Sequence, residues 1–269
     1  MYKIINSFYA TTYDSPNFFN SNVVSQGFFW ERVLVLKQQD NWSFIRQKDN
    51  YESWINNFYL VDDLTANSKF TFFVIKEKFI KINQIKDKDK QIVNYLSYGT
   101  KIPLFDLENY SKDPLMNLFY LDRNNIIFEN INEHLRTKVK IQLNEKLRMK
   151  VLSAAYMMLG VSYLWGGKTA FGFDCSGFVQ TIYNTEIGLL LPRDSRDQFN
   201  YVKIIKKNKV EIADLVFFKD KGVVVHVGIY VGFDKIIHCS GRVKVDSINK
   251  KDIDYNNVFN GLEIFYGKI

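Results

Sequence analysis

The chain has 269 residues, 46% apolar and 16% aromatic, ample for packed cores in one large domain or several smaller ones. Its 36 basic and 29 acidic side chains leave a formal charge of +7, yet the lysines are scattered, KIIKKNK (203–209) being the densest group. No helix-turn-helix, zinc-finger or aromatic RNA-binding signature accompanies them, so nucleic acid is not an expected partner.

Two cysteines, Cys175 and Cys239, are too few for a disulfide framework, and no stretch approaches the ~20 apolar residues of a membrane helix. MYKIINSFYATTYDS lacks the apolar run and small-residue cleavage site of a secretory signal. A cytoplasmic protein is expected, or a secreted one if the chain is processed.

From the N-terminus, FFWERVLVLKQ, NWSFIRQ and ESWINNFYLV alternate apolar and polar residues between turn-prone QQDN and QKDNY segments, predicting short strands. A second β series runs from SKFTFFVIKEKFIKINQI through KQIVNYLSYGTKIPLFD, so residues 1–62 and 63–133 read as a tandem of small all-β units. After about residue 134 the pattern changes. LNEKLRMKVLSAAYMMLG (143–160) has helical spacing through Leu147, Val151, Leu152, Ala155, Met158 and Leu159, ending at Gly160. The glycine-rich YLWGGKTAFGFDC loop follows, then a second helix over SGFVQTIYNTEIG, then strands at DLVFF, VVVHVGIYVG, KIIHCSG and LEIFYG. Helices followed by an antiparallel sheet predict an α+β domain over 134–269.

Cys175 opens the second helix, where unpaired N–H groups and the helix dipole lower a thiol pKa. Asp174 or Ser176 can cap that helix, and Gly166, Gly167 and Gly172 leave the approach to the sulfur open. A nucleophilic cysteine needs a base, and the chain has three histidines, His134, His226 and His238. His134 lies in the polar NEHLR segment and is expected to be an exposed linker or helix residue. In VVVHVGIYVG, Val223, Val225, Val227, Ile229 and Val231 form one apolar face, leaving His226 and Gly228 on the other.

A regular two-residue turn at Phe233-Asp234 would put His226 and His238 on opposite faces, whereas an odd-length turn or a bulge makes them diagonal neighbours. The latter is expected. A zinc site of Cys175, His226, His238 and Cys239 is the rival reading, weakened because adjacent strand residues such as His238 and Cys239 project oppositely. Cys239 reads as a core thiol.

YLWGGKTAFGFDCSGFVQ, LPRDSRDQF, DLVFF, HVGIYVG and IIHCSGR, in this order over about 145–245, resemble the NlpC-type cysteine peptidases, bacterial enzymes that cut cell-wall peptides at γ-D-glutamyl bonds. The resemblance implies a papain-like core with Cys175 as nucleophile, His226 as base and His238 as orienting residue, without metal or cofactor. It implies a substrate cleft lined by Trp165, Asp174 and Ser176, with Arg193, Asp194 and Ser195 near it. The N-terminal segment QGFFWERVLVLKQQDNWSFIRQKDNYESWI is similar to the bacterial SH3-type barrels that precede this domain in one subgroup. In that subgroup, residues corresponding to Glu31 and Tyr51 meet the substrate amine with Asp174, restricting the enzyme to peptides with free N-terminal L-Ala.

The expected activity is hydrolysis of L-Ala-γ-D-Glu-diamino-acid stem peptides by a monomer that recycles released murein peptides. The alternatives are a hydrolase of the intact wall, secreted or wall-associated, and a non-catalytic wall-binding protein.

Overall fold

The computed structural model describes residues 1–63, 71–87, 90–104, 119–121 and 143–269. His134 and parts of the second β series lie outside the described residues. The chain divides into two compact units, Met1–Thr137 and Lys138–Ile269.

In the first unit, strands β1 (Tyr2–Ile5), β2 (Tyr9–Tyr13), β3 (Val23–Phe28), β4 (Arg32–Gln39), β5 (Trp42–Arg46), β6 (Glu52–Asn56) and β7 (Leu60–Asp62) form one sheet. Their order is β3-β2-β6-β5-β4-β1-β7, an open sheet rather than a closed barrel among the described residues. The FFWERVLVLKQ run is not one strand. Trp30 adopts a left-handed φ of 64°, and the Phe28 N–H donates to the Glu31 carboxylate at 2.9 Å, so β3 ends before β4 begins. Asp40, with φ 49°, turns β4 into β5, a conformation that aspartate tolerates better than most residues.

Strands β8 (Thr71–Val74) and β11 (Lys101–Leu104) pair with each other, and β9 (Phe79–Asp87) pairs with β10 (Lys90–Ser97) and β12 (Phe119–Leu121). Because side chains alternate along β1, Ile4 and Ile5 enter different cores. Ile5 packs with Ala10, Val33, Ile45 and Ile55, whereas Ile4 packs with Phe29, Trp30, Ile75, Ile80, Leu96 and Ile102.

The second unit opens with α1 (Glu145–Met157), whose Asn144 side chain caps the Leu147 N–H at 3.0 Å. The predicted stripe is buried at Val151, Leu152, Ala155 and Met158, while Leu159, past the helix end, is exposed. A two-rung hairpin of β13 (Lys168–Thr169) and β14 (Gly172–Phe173) leads into α2 (Cys175–Ile187), which stops at left-handed Gly188. After α3 (Ser195–Tyr201) come β15 (Lys203–Ile205), β16 (Leu215–Asp220), β17 (Val223–Gly232), β18 (Lys235–Ser240), β19 (Arg242–Ser247) and β20 (Glu263–Lys268). They make an antiparallel sheet in the order β15-β20-β16-β17-β18-β19.

The sheet is buried on both faces: Phe217, Val227, Ile229 and Ile237 alternate with Val216, Phe218 and Ile236, all but inaccessible to solvent. Helix α2 packs against α1, β17 and β18. The unbroken apolar face expected along β17 holds only at Val227 and Ile229. A bulge at Val225, where Phe218 pairs His226 and Lys219 pairs Val224, reverses the alternation and leaves Val223 and Val225 exposed.

One buried charge network ties α1 to the start of β16. Arg148 donates to Asp214 at 2.8 Å, to Glu211 at 2.7 Å and to the Ile212 carbonyl at 2.5 Å, while the Glu211 N–H closes back on Asp214. Asp214 is fully buried, so removing its cation strands a charge. Arg148→Met is expected to destabilise the second unit by about 3–5 kcal/mol in urea unfolding, and Asp214→Leu added to it to recover much of that loss.

Candidate active site

The start of α2 is set by backbone packed on backbone. A Cβ on Gly177 would lie 2.1 Å from the Gly167 carbonyl oxygen, and one on Gly167 would lie 2.2 Å from that of Gly172. The glycines expected to open a path for ligand instead let the chain's own loop pass against the helix. Asp174 is the cap: its carboxylate accepts from the Gly177 N–H at 2.6 Å and the Gly166 N–H at 3.0 Å.

Arg193, itself buried, binds the same carboxylate through both terminal nitrogens at 2.5 and 3.2 Å and donates to the Ser176 hydroxyl at 3.0 Å. Asp174, Ser176 and Arg193 are thus one cluster. Asp194 and Ser195 follow at the start of α3, with burial raising the Asp194 carboxyl above its usual range. Gln198, which the motif reading passed over, bridges the Ser176 and Pro192 carbonyls at 3.0 and 2.9 Å and so ties α3 to the α2 start. Trp165 is 65% exposed in the preceding loop. In the other unit, Glu31 accepts from Gln47 Nε2 at 3.1 Å, and the Gln47 N–H donates to the Tyr51 carbonyl at 2.9 Å.

The hairpin between β17 and β18 has both a two-residue turn and a bulge. Phe233 and Asp234 both take positive φ, and Gly232 pairs Lys235, as in a regular hairpin. The next rung, however, is Tyr230 with Ile236, so Val231 is extruded and Ile229 comes opposite Ile237. Continuing that register sets Gly228 beside His238, where an added Cβ would come within 3.0 Å of the His238 Cβ. His226 is the diagonal neighbour on the same face, and its Nε2 lies 2.7 Å from His238 Nδ1.

The far nitrogen of His238 meets a residue the motif reading missed. His238 Nε2 is 3.0 Å from Asp246 Oδ2 on β19, and Asn256 and Lys244 bind the same oxygen. The signal was the alternation in RVKVDS, which puts Lys244 and Asp246 on one face: His238 pairs Lys244, and Asp246 is one diagonal step further. Phe259 flanks both imidazoles and stacks on Phe218, with ring centroids 4.4 Å apart. Cys239 points to the other face and donates to the Phe173 carbonyl at 3.1 Å, which removes it from any shared site with His238.

Cys175 is partly buried, and the Val227 N–H, next to His226, acts to lower its thiol pKa. Since His226 Nε2 is engaged by His238, Nδ1 is the ring nitrogen without a role in the histidine pair. The electrostatics reverse the expectation of a lowered thiol pKa. Burial, with the Asp174 charge, pushes the Cys175 thiol up to about 11 against the opposing Val227 and Ser176 N–H groups and Arg193. Burial, with His238 and Lys244, pulls His226 down to about 3. Both shifts favour the neutral forms, thiol at Cys175 and imidazole at His226. In protein carrying Cys239→Ser, alkylation of Cys175 by iodoacetamide is expected to accelerate from neutrality toward about pH 11. A preformed ion pair would instead plateau well below the free-thiol value of ~8.5.

Comparison with known proteins gives this arrangement its context. Residues 160–259 match the NlpC/P60 family model. A gamma-D-glutamyl-L-lysine dipeptidyl-peptidase of Bacillus cereus is 30% identical over 220 residues, 78% of this chain and 61% of that protein. The protein of the same name from Bacillus subtilis is 28% identical over 229 residues, 81% of this chain and 72% of the relative. In overall fold the chain matches the crystal structure of an NlpC/P60 family protein from Bacillus cereus with a TM-score of 0.78 at 20% identity, covering 100% and 99% of the two chains. NlpC/P60 peptidases are cysteine peptidases, and over residues 160–259 this chain carries an NlpC/P60 family domain.

Proposed function

We propose that the protein is a cysteine peptidase that hydrolyses the γ-D-glutamyl-diamino acid bond of murein stem peptides. The observation that carries this reading is a thiol at the start of α2 and a 2.7 Å histidine pair on β17 and β18, the strands that α2 packs against, inside an NlpC/P60 domain. Similarity to relatives named gamma-D-glutamyl-L-lysine dipeptidyl-peptidase supports the choice of bond.

In the first step Cys175 Sγ attacks the γ-glutamyl carbonyl carbon while His226 Nδ1 takes the thiol proton. The Cys175 N–H at the helix start stabilises the oxyanion. As the tetrahedral intermediate collapses, the C–N bond breaks and His226 returns its proton to the leaving amine of the diamino acid. Water, deprotonated by His226, then attacks the thioester, releasing the γ-carboxylate and regenerating the thiol. His238 holds His226 in register throughout. Trp165, Asp174, Ser176, Arg193, Asp194 and Ser195 border the reacting bond on this reading.

The finer reading is a dipeptidyl-peptidase requirement for free N-terminal L-Ala, with Glu31 and Tyr51 in an SH3-like module over 1–62, a second module over 63–133 and a papain-like domain over 134–269. A buried ammonium without a carboxylate partner is costly, which gives such selectivity its physical basis. A free-amine requirement fits recycling of released peptides rather than cleavage of the intact wall, and the cytoplasm is the compartment proposed for it. Among the described residues no helix is long and apolar enough to cross a membrane.

Free L-Ala-γ-D-Glu-diaminopimelate, its N-acetylated form and intact peptidoglycan separate the readings when product release is followed by mass spectrometry. Cleavage of the free-amine peptide alone is expected, with Cys175→Ala reducing turnover by about 10³-fold or more. Equal cleavage of the acetylated peptide removes the amine requirement, and cleavage of the intact wall alone makes the protein a wall hydrolase.

A further inference from the structure

The geometry points to Asp246 as a positioning residue that sets the tautomers of both histidines, extending Cys175–His226–His238 into a four-membered chain. The step rests on the peptidase reading for its kinetic consequence, but its structural content stands apart from it.

An ionised carboxylate accepts hydrogen bonds and donates none. Burial works against the Asp246 carboxylate, but hydrogen bonds from His238, Asn256 and Lys244 outweigh it and hold the group ionised below the usual carboxylate range. His238 Nε2, 3.0 Å away, must then carry its proton. In a neutral ring that leaves His238 Nδ1 as acceptor, so across the 2.7 Å contact His226 Nε2 is the donor. His226 Nδ1 is consequently unprotonated, in the form a general base needs.

Of the donors around Asp246, His238 depends on it most. Its side chain is fully buried and has no water as an alternative acceptor in the intact protein, whereas Lys244 is partly solvated. Phe259 and Phe218 pack against the same face of the histidine pair. Without the carboxylate, His238 can shift its proton to Nδ1 and donate to His226 Nε2. The proton of His226 is then forced to Nδ1, where it points at the thiol and blocks base function. When His226 becomes positively charged during attack, the same carboxylate offsets that charge through His238.

Three histidines make the test direct, because the tautomer of each ring is read from its ¹⁵N shifts and couplings in histidine-labelled protein. The expected wild-type result is protonated Nε2 and bare Nδ1 on both His226 and His238. Asp246→Ala should introduce the Nδ1–H form of His238 and lower kcat about 10–100-fold with KM little changed. Should Asp246→Ala unfold, as judged by its melting transition, Asp246→Asn removes the charge while keeping the shape and should perturb the same shifts.

Wild-type His238 protonated on Nδ1, or tautomers and kcat both unaltered in a folded variant, overturns the assignment. If none of the peptides is cleaved while the tautomers still shift, the placement of Asp246 stands and the peptidase reading falls.

Discussion

The candidate site depends on the register of a single antiparallel ladder. Side chains alternate along a strand, so a slip of one residue between β17 and β18 would carry His238 to the opposite face from His226. The Phe233-Asp234 turn alone would produce that outcome, since it pairs Gly232 with Lys235. Extrusion of Val231 restores the phase before the ladder reaches the histidines, and Gly228 leaves the space into which the His238 Cβ fits. The second bulge, at Val225, reverses the alternation beyond His226 so that exposed valines follow a buried site. Two one-residue insertions thus bracket the segment whose phase matters.

That register also decides the electrostatics. Bringing two imidazoles into contact behind Phe259 and Phe218 removes them from water, and desolvation favours their neutral forms. The thiol is subject to the same effect with opposite sign, because its charged form is the basic one. Burial therefore pushes the two pKa values apart, and the helix-terminal N–H groups offset only part of it. On the proposed peptidase reading, charge separation would await attack on a substrate, which supplies an oxyanion and a leaving group. The outlying Asp246 carries a negative charge hydrogen-bonded to His238.

Much of this was legible in the sequence wherever local chemistry decides. Asp174 and Gly188 mark helix ends because caps act over three or four residues, and α1 and α2 appear close to their expected bounds. The pairing of the histidines could be posed as a choice of turn or bulge, since period two leaves few options. The bulge at Val225 and the break at Trp30 were not legible, because each depends on the partner strand or on packing far along the chain. Asp246 illustrates the intermediate case. The alternation of RVKVDS is plain, but its relevance appears only after two successive ladders, β17 with β18 and β18 with β19, carry the register to it. The sign of the Cys175 shift failed for a different reason: a helix start is visible in sequence and burial is not.

Asp174 shows how the same architecture limits what a residue beside the nucleophile can do. Its carboxylate caps α2, holds the Gly166 N–H and is engaged through both oxygens by Arg193, whose own side chain is almost wholly enclosed. Withdrawing either partner would leave a buried charge uncompensated, which costs more than the pair contributes when intact. An incoming substrate ammonium would therefore have to compete with Arg193 or share an oxygen with it. Sharing is the less costly arrangement, since neither buried charge is then abandoned. On that argument Asp174 first holds the helix end that aims Cys175, and any contribution to substrate recognition is made through the Arg193 pair rather than by a free carboxylate.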